Sequence, residues 1–414
     1  MGEQLVPKEG KHFRDDRSEF MTLLRGRKPD VTRVYSAINP YPWALTAAEV
    51  AGLERVANCI RRAIRVVVEH YFDDPRLRAI LPLEADVEKL LRVADRFPYR
   101  IGAIRPDFLH AADGTIQINE INARFPLNAF LISHLLDAIF AEVPYRHRFA
   151  VGFKGIPGPA KVPEALQETF GDRARVVVLK KQERGWDTRL LVDYWPGCQE
   201  LPPEEAGTLD PERDFVVLEL HQHELVRQMP RLPALITSGR YLNDVRTIFL
   251  GHDKRLLAIF TSDLLDDYLP AEDIELLHRH VVPTYVIGLA GEPLRRARER
   301  REEWLLKPNL FGKGEGIVIG RNVSADAWRA ALDSAPRQFV LQPFVEQRRF
   351  DVMTEVGGDV RRVTMNVVGL LPTLNEHCLG PGIYRASPGD IVNVAGGGTI
   401  MVPVVVPQDE NKAP

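Results

Sequence analysis

This sequence predicts an α/β protein with α+β elements, and three observations carry that prediction. An Asp113-Gly114 dipeptide separates two strand-like runs, 102–109 and 115–121, which is the pattern of a tight hairpin. Two continuous β-branched runs, RVVVLKK from Arg175 and FVVLEL from Phe215, read as strands buried on both faces, as in an open α/β layer. An apolar strand at 304–307, the glycine-rich turn PNLFGKGEG and a second strand at 317–320 form a strand–loop–strand unit.

The 414 residues leave room for two or three domains, and 45% hydrophobic with 27% charged residues is ordinary globular composition. A net charge of −3 and a pI near 6.4 argue against nucleic acid or an anionic membrane as the main partner, so basic clusters are read locally. Cys59, Cys198 and Cys378 are few, odd in number and far apart. That excludes a disulfide framework or a cysteine zinc site and fits a reducing cytoplasm. The N-terminus lacks the apolar core of a signal peptide, and no apolar run approaches the roughly 20 residues that span a bilayer.

In chain order, residues 1–45 read as a polar extension, frayed at first, with SAINPYPWAL able to dock. A helix begins at Thr46, where Glu49 completes a capping box, and Val50, Leu53, Val56, Ile60, Ile64 and Val67 fall on its core face. Arg61, Arg62 and Arg65 lie opposite, on a solvated side. A helix over 87–96 leads into the hairpin, and LNAFLISHLLDAIF follows as a buried helix with a structural His134. The open α/β layer occupies 155–250: RLLVDYW suits a helix or a strand, 197–213 is an acidic, proline-rich connection, and 245–250 reads as a strand. Leu256, Leu257, Phe260, Leu264 and Leu265 then fit one helical face with Lys254 in its first turn, or else a second hairpin strand, and the charge run 295–303 is the exposed side of another helix. Ser324 caps a helix running to Leu332, 338–345 is a buried strand, and 390–398 is a strand meeting three glycines.

The hairpin concentrates charge. With Asp113 and Gly114 as the central pair of a two-residue turn, Ala112 faces Thr115, Asp107 faces Glu120 and Arg105 faces Asn122, all on one side. Carboxylates whose β-carbons stand roughly 5 Å apart repel unless a cation lies between them. Asp, Glu and Asn offer hard oxygen donors suited to Mg²⁺, which brings a phosphate-bearing substrate, and Arg105 stands beside them. A solvated polar face fits the same stretch. In the glycine loop, backbone N–H groups can approach phosphate oxygens while Lys307 and Lys313 add charge. The loop lacks the Walker A spacing, and many ordinary hairpins carry glycines. Strand 338–345 can offer its backbone to an adenine edge with Phe344 lining the pocket, or be a plain core strand.

Taken together, these motifs resemble the circularly permuted ATP-grasp proteins, which include the synthetase domain of glutathionylspermidine synthase. RPD followed by NEIN resembles that family's Arg-x-Asp and Glu-x-Asn. The resemblance implies Asp107, Glu120 and Asn122 as Mg²⁺ ligands and Arg105 as a contact to the transferred phosphate. The HDKRLLAIF segment leading to VPTY implies Lys254 as a phosphate contact. LLKPNLFGKGEGIVIG resembles the Lys-Pro strand and mobile glycine loop, which brings in Lys307, Gly312, Lys313, Gly314 and Gly316. FVLQPFV resembles the adenine hinge, hence Gln342 with Phe344, and IVNVAGGG resembles the terminal VN…GGG element, hence Asn393. The likeness covers roughly residues 100–400. It departs where GKGEG has fewer consecutive glycines and where Ala395 replaces a more polar run on the acceptor side.

That resemblance implies an ATP-grasp fold in circularly permuted order: an N-terminal extension (1–45), a helical segment plus the metal hairpin (46–154), a pre-ATP-grasp-like substrate layer (155–250) and ATP-grasp lobes (251–414). It implies an ATP- and Mg²⁺-dependent ligase joining a small-molecule carboxylate to an amine through an acyl phosphate, with Arg105 and Lys307 in catalysis. A homodimer stays open. So do two other readings, a phosphotransferase that releases its phosphorylated product and an ATP-binding protein without turnover. Substrate specificity is expected on the α/β layer, near Lys180, Lys181 and Arg184.

Overall fold

A computed structural model describes residues 2–7, 12–29, 37–171, 175–183, 185, 187–312, 314–392, 394 and 398–407. Among the described residues the strands form four sheets. The largest contains the hairpin, Ala103–His110 with Ile116–Asn122, and extends through the long strand Asp359–Leu370, which pairs with Arg349–Val356 and Tyr384–Ser387. Gly369 lies where a β-carbon would fall 2.1 Å from the Phe108 ring, so only glycine lets the two strands meet there.

A second, antiparallel sheet orders Tyr285–Val286, Phe339–Pro343, Trp304–Pro308 and Val318–Ile319. With helices Gly291–Glu299 and Ala325–Ser334 it encloses a small core around Trp304, Leu306, Trp328 and Leu341. Period-two alternation turns Trp304 and Leu306 inward and leaves Leu305 and Lys307 facing the large sheet across a cleft.

The expected open layer is present as a parallel sheet ordered Gln199–Leu201, Arg175–Lys180, Asp214–Glu219, Tyr241–Leu242. Its β-branched runs are unbroken because both faces are buried. Val177, Leu179, Val216 and Leu218 join one core, whereas Val176, Val178, Phe215 and Val217 join another. Of RLLVDYW, Arg189 to Tyr194 lie in helix Asp187–Tyr194 and Trp195 follows its end.

Helix Ala47–His70 starts at Thr46 with the capping box formed, and its six expected core residues are buried. Arg62 grips Asp273 with two bonds and Arg61 and Arg65 pair with Glu376, so the basic side ties neighbouring elements together. Three expectations are corrected. The N-terminal stretch is not simply frayed: helix Phe13–Arg27 buries Phe13, Phe20, Met21 and Leu24 against Phe140 and Tyr41. Residues 245–250 are no strand but lead into a wide helical turn, Thr247–Gly251; every residue of the run is buried, Arg246 and Thr247 included, so it has no exposed side whose period would separate helix from strand. Residues 390–392 and 394 take no strand conformation, while Asn393 and 395–397 lie outside the described residues.

Candidate active site

The hairpin reaches its expected pairing by an unexpected path. Its turn holds three residues rather than two: the Ala111 N–H donates to the Thr115 carbonyl (2.9 Å), and Gly114, at φ +96°, donates to Ala111 (3.0 Å). That slip of one residue is cancelled by a bulge at Asn119, so Phe108 pairs with Ile118 but Asp107 with Glu120 and Arg105 with Asn122. The bulge also turns Asn119 to the side of Glu120, and both line the cleft.

The root of the hairpin is fastened by Asn243, wholly buried. Its Oδ1 accepts from the Ala103 N–H (2.7 Å), and its amide donates to the Ala103 and Ala123 carbonyls (2.6 and 2.8 Å). His252 adds an acceptor for the Ala123 N–H at 3.3 Å; burial lowers its pKa far below the usual range, so it stays neutral.

The cleft between the two sheets is a cavity of about 310 Å³. Arg105, Asp107, Glu120, Asn122, Lys307, Gly312, Gly314, Gln342 and Phe344, all singled out from sequence, line it. Lys254 sits behind Glu120 rather than in the cavity wall, 4% exposed, in the turn before helix Leu256–Phe260. Its Nζ is 3.6 Å from Glu120 Oε2 and donates to the Phe311 carbonyl at 2.6 Å. Asp253 and Asn309 lock that turn to the strand exit (2.6 Å). Gly316, at φ +72°, packs against Pro308 outside the cavity lining, and Lys313 lies outside the described residues.

Charge is dense here. Glu120 keeps 24% of its side chain open to the cleft. Burial pushes its carboxyl up, but Lys254, then Lys307, Arg105 and Arg385, outweigh that and hold it at about 2. Burial, with Lys254 repelling and Glu120 attracting, brings Lys307 down to about 8. The Arg105 guanidinium grips Asp107 through two bonds of 2.9 and 3.2 Å, and Arg385 adds a third at 2.7 Å. Gln342 is fully buried, its amide donating to Thr284 Oγ1 at 2.8 Å, which fixes the hinge strand to the VPTY segment. The Phe344 ring lies under the Arg321 guanidinium, 3.7 Å from it. The glycine loop crosses toward Ile391, which stands 2.9 Å from where a β-carbon on Gly314 would be.

Among the described residues no three His, Cys, Asp or Glu side chains cluster as a metal site. The hairpin instead offers oxygen donors of mixed kind. Glu120 is ionised, Asn122 is 3.4 Å from it, and Asn119 Oδ1 is buried without a hydrogen-bond partner. This donor chemistry fits a hard divalent cation such as Mg²⁺. Sequence reasoning missed Arg385 and Asn119. Arg385 lies 278 residues from Asp107 in a strand without a motif, whereas the NEIN run contained Asn119, and only the bulge brings it to the cleft.

The AnkG N-terminal domain family matches residues 56–206. A curated relative, the ATP-grasp enzyme ankG of Aspergillus thermomutatus, is 28% identical over 89% of each chain. A glutathione synthetase-like effector, GSS30 of Globodera pallida, solved in its apo form, superposes with a TM-score of 0.57 at 12% identity, covering 97% of this chain and all of that one. The chain shares the fold of that glutathione synthetase-like effector and is similar in sequence to an ATP-grasp enzyme. Its architecture is the mixed α/β one expected, and the likeness to a named ATP-grasp enzyme supports an enzyme. No described helix is long and apolar enough to cross a membrane.

Proposed function

We propose that the protein is an ATP- and Mg²⁺-dependent carboxylate–amine ligase. The observation that carries this reading is the meeting, in one cleft, of the hairpin's Asp107, Glu120 and Asn122 with Lys307, the glycine loop and the Gln342 hinge. The adenine would lie between Gln342 and Phe344, with its phosphates under Gly312 and Gly314 and against Lys307 and Lys254. Mg²⁺ held by Asp107, Glu120 and Asn122 would offset charge on the phosphate oxygens.

In the first step a carboxylate oxygen of the acid forms a bond to the γ-phosphorus as the bond to the ADP oxygen breaks. In the second, an amine nitrogen bonds to the acyl carbon, phosphate leaves, and the nitrogen gives up a proton. Both steps need positioning and positive charge more than a side-chain nucleophile. Arg105 and Arg385, which share Asp107, stand where the transferred group carries its charge, and Lys307 is charged below about pH 8. The metal hairpin precedes the glycine loop in the chain, which supports the circularly permuted order; the division at about residues 45, 154 and 250 is part of the same reading.

The experiment is turnover of ATP and Mg²⁺ with a panel of carboxylates and amines. ADP, phosphate and an amide are the expected products; a stable phosphorylated compound would overturn the reading. Glu120→Gln is expected to cut turnover by on the order of 10²–10³ while circular dichroism stays native, and near wild-type activity would remove the metal assignment.

A further inference from the structure

The ring of Phe344 has a covered back. Phe344 lines the cleft just beyond strand Phe339–Pro343, and the Arg321 guanidinium stands 3.7 Å from its ring. Arg321 is not among the side chains that line the cavity, so the cation lies behind the ring and leaves the ring's other face to the cleft. The cation is held from several sides. At Gly320 a β-carbon would collide with the Arg301 carbonyl oxygen, so glycine alone lets the chain pass. Arg301 Nη1 donates to the Gly320 and Val323 carbonyls at 2.5 and 2.8 Å, which fixes the short turn Gly320–Asn322. From that turn Arg321 Nε donates to the Glu302 carbonyl at 3.4 Å, and its Nη2 pairs with Glu346.

The backbone beside the ring points to the same place. Pro343 has no N–H, and the Phe344 N–H donates to the Glu303 carbonyl at 2.6 Å. The next donor, the Val345 N–H, has no acceptor among the described residues, and Val345 lines the cleft as well. A flat ring whose edge accepts from Val345 lies beside Phe344, with Leu305, Ile317 and Ile319 as apolar walls. A surface arginine resting on an aromatic ring is common without any ligand. This ring differs in belonging to the wall of a cavity next to an unused backbone donor.

We propose that Phe344 is the platform on which the nucleotide base stacks, and that Arg321 is a positioning residue acting through the ring. The assignment of a base rests on the nucleotide part of the ligase reading and deepens it. An aromatic ring carries negative charge on both faces. The guanidinium draws that charge toward itself, so the face toward the cleft becomes less negative and repels the π-face of an electron-rich purine less. The same contact sets the tilt of the ring before the base arrives, which lowers the ordering cost of stacking.

The test is calorimetric titration of the full-length protein and Mg²⁺ with a non-hydrolysable ATP analogue and, separately, with inorganic tripolyphosphate, which carries the phosphates without a base. Phe344→Leu keeps apolar bulk and removes the π-face; Arg321→Met keeps the stem and removes the charge. The analogue should bind about tenfold more weakly to Phe344→Leu and about fivefold more weakly to Arg321→Met, with tripolyphosphate affinity and melting temperature unchanged. In the double variant the Arg321 effect should vanish, because the charge has no ring to act through. Equal weakening of tripolyphosphate makes Arg321 a phosphate contact and overturns the proposal, as do additive losses or wild-type analogue affinity in Arg321→Met. A wild type that binds neither ligand removes the nucleotide reading and the platform with it. The expected pattern without amide formation for any acid and amine keeps the platform and removes the ligase. Amide formation with no Arg321 effect does the reverse.

Discussion

Lys307 concentrates the chemistry of the site in one proton. Burial lowers its pKa from 10.5 to about 8, so the folded free protein loses that proton well before the unfolded chain does. Between those values the unfolded chain binds more protons, and Lys307 therefore adds stability as pH rises, its cost being complete below about pH 8. Phosphate binding has the opposite sense because it favours the ammonium. Affinity for an ATP analogue should be flat below about pH 7.5 and weaken by up to roughly tenfold per unit above pH 8, with proton uptake visible as a buffer-dependent binding enthalpy. Lys307→Met should abolish that pH dependence. Glu120, held at about 2, should contribute no acid limb above pH 4. Residues of this kind were legible because each stood in a short motif: RPD, NEIN, DK, KP. Arg385 was not, since nothing local distinguishes an arginine in a strand until the sheet brings it to Asp107. A lone lysine in a helix's first turn carries no signal of burial, and the partners Glu120 and Phe311 account for that of Lys254.

At the scale of elements the hairpin illustrates how a register can be right while its turn is wrong. Dipeptide chemistry supplied the Asp-Gly signal but not the loop length, and the compensating bulge at Asn119 depends on the neighbouring Val281–Val282 backbone, which Ile118 bridges and bonds. Helix Phe13–Arg27 was missed because charged residues dominate its composition, although Phe13, Phe20, Met21 and Leu24 share one face. The parallel strands were readable because burial on both faces leaves an unbroken β-branched run. Hairpin placement hangs on Asn243, so Asn243→Leu, which strands the Ala103 and Ala123 backbone groups, should cost on the order of 3 kcal/mol in urea unfolding. Gly102→Ala should also destabilise, because at φ +71° its β-carbon would stand 2.3 Å from Asn243 Oδ1.

At the scale of the molecule, the cleft lies between two sheets with separate cores, and across it the glycine loop approaches Ile391 at Gly314. On that loop Phe311 is tied by its carbonyl to Lys254 but is 55% exposed, so its ring gains cover when something fills the cleft. Hydrogen exchange of amides in 310–317 should therefore slow on addition of ATP analogue and Mg²⁺, while strand Ala103–His110 changes little. The long-range order of the chain was the least legible part, since no local pattern tells Trp43–Thr46 that its parallel neighbour is Pro403–Val406. That pairing has a cost measured in time. Trp43 waits for Pro403, 360 residues downstream, which at 5–20 residues per second is roughly 20 to 70 s of synthesis. During that interval the early strand presents an open apolar edge, the condition in which chaperone capture or aggregation competes with folding.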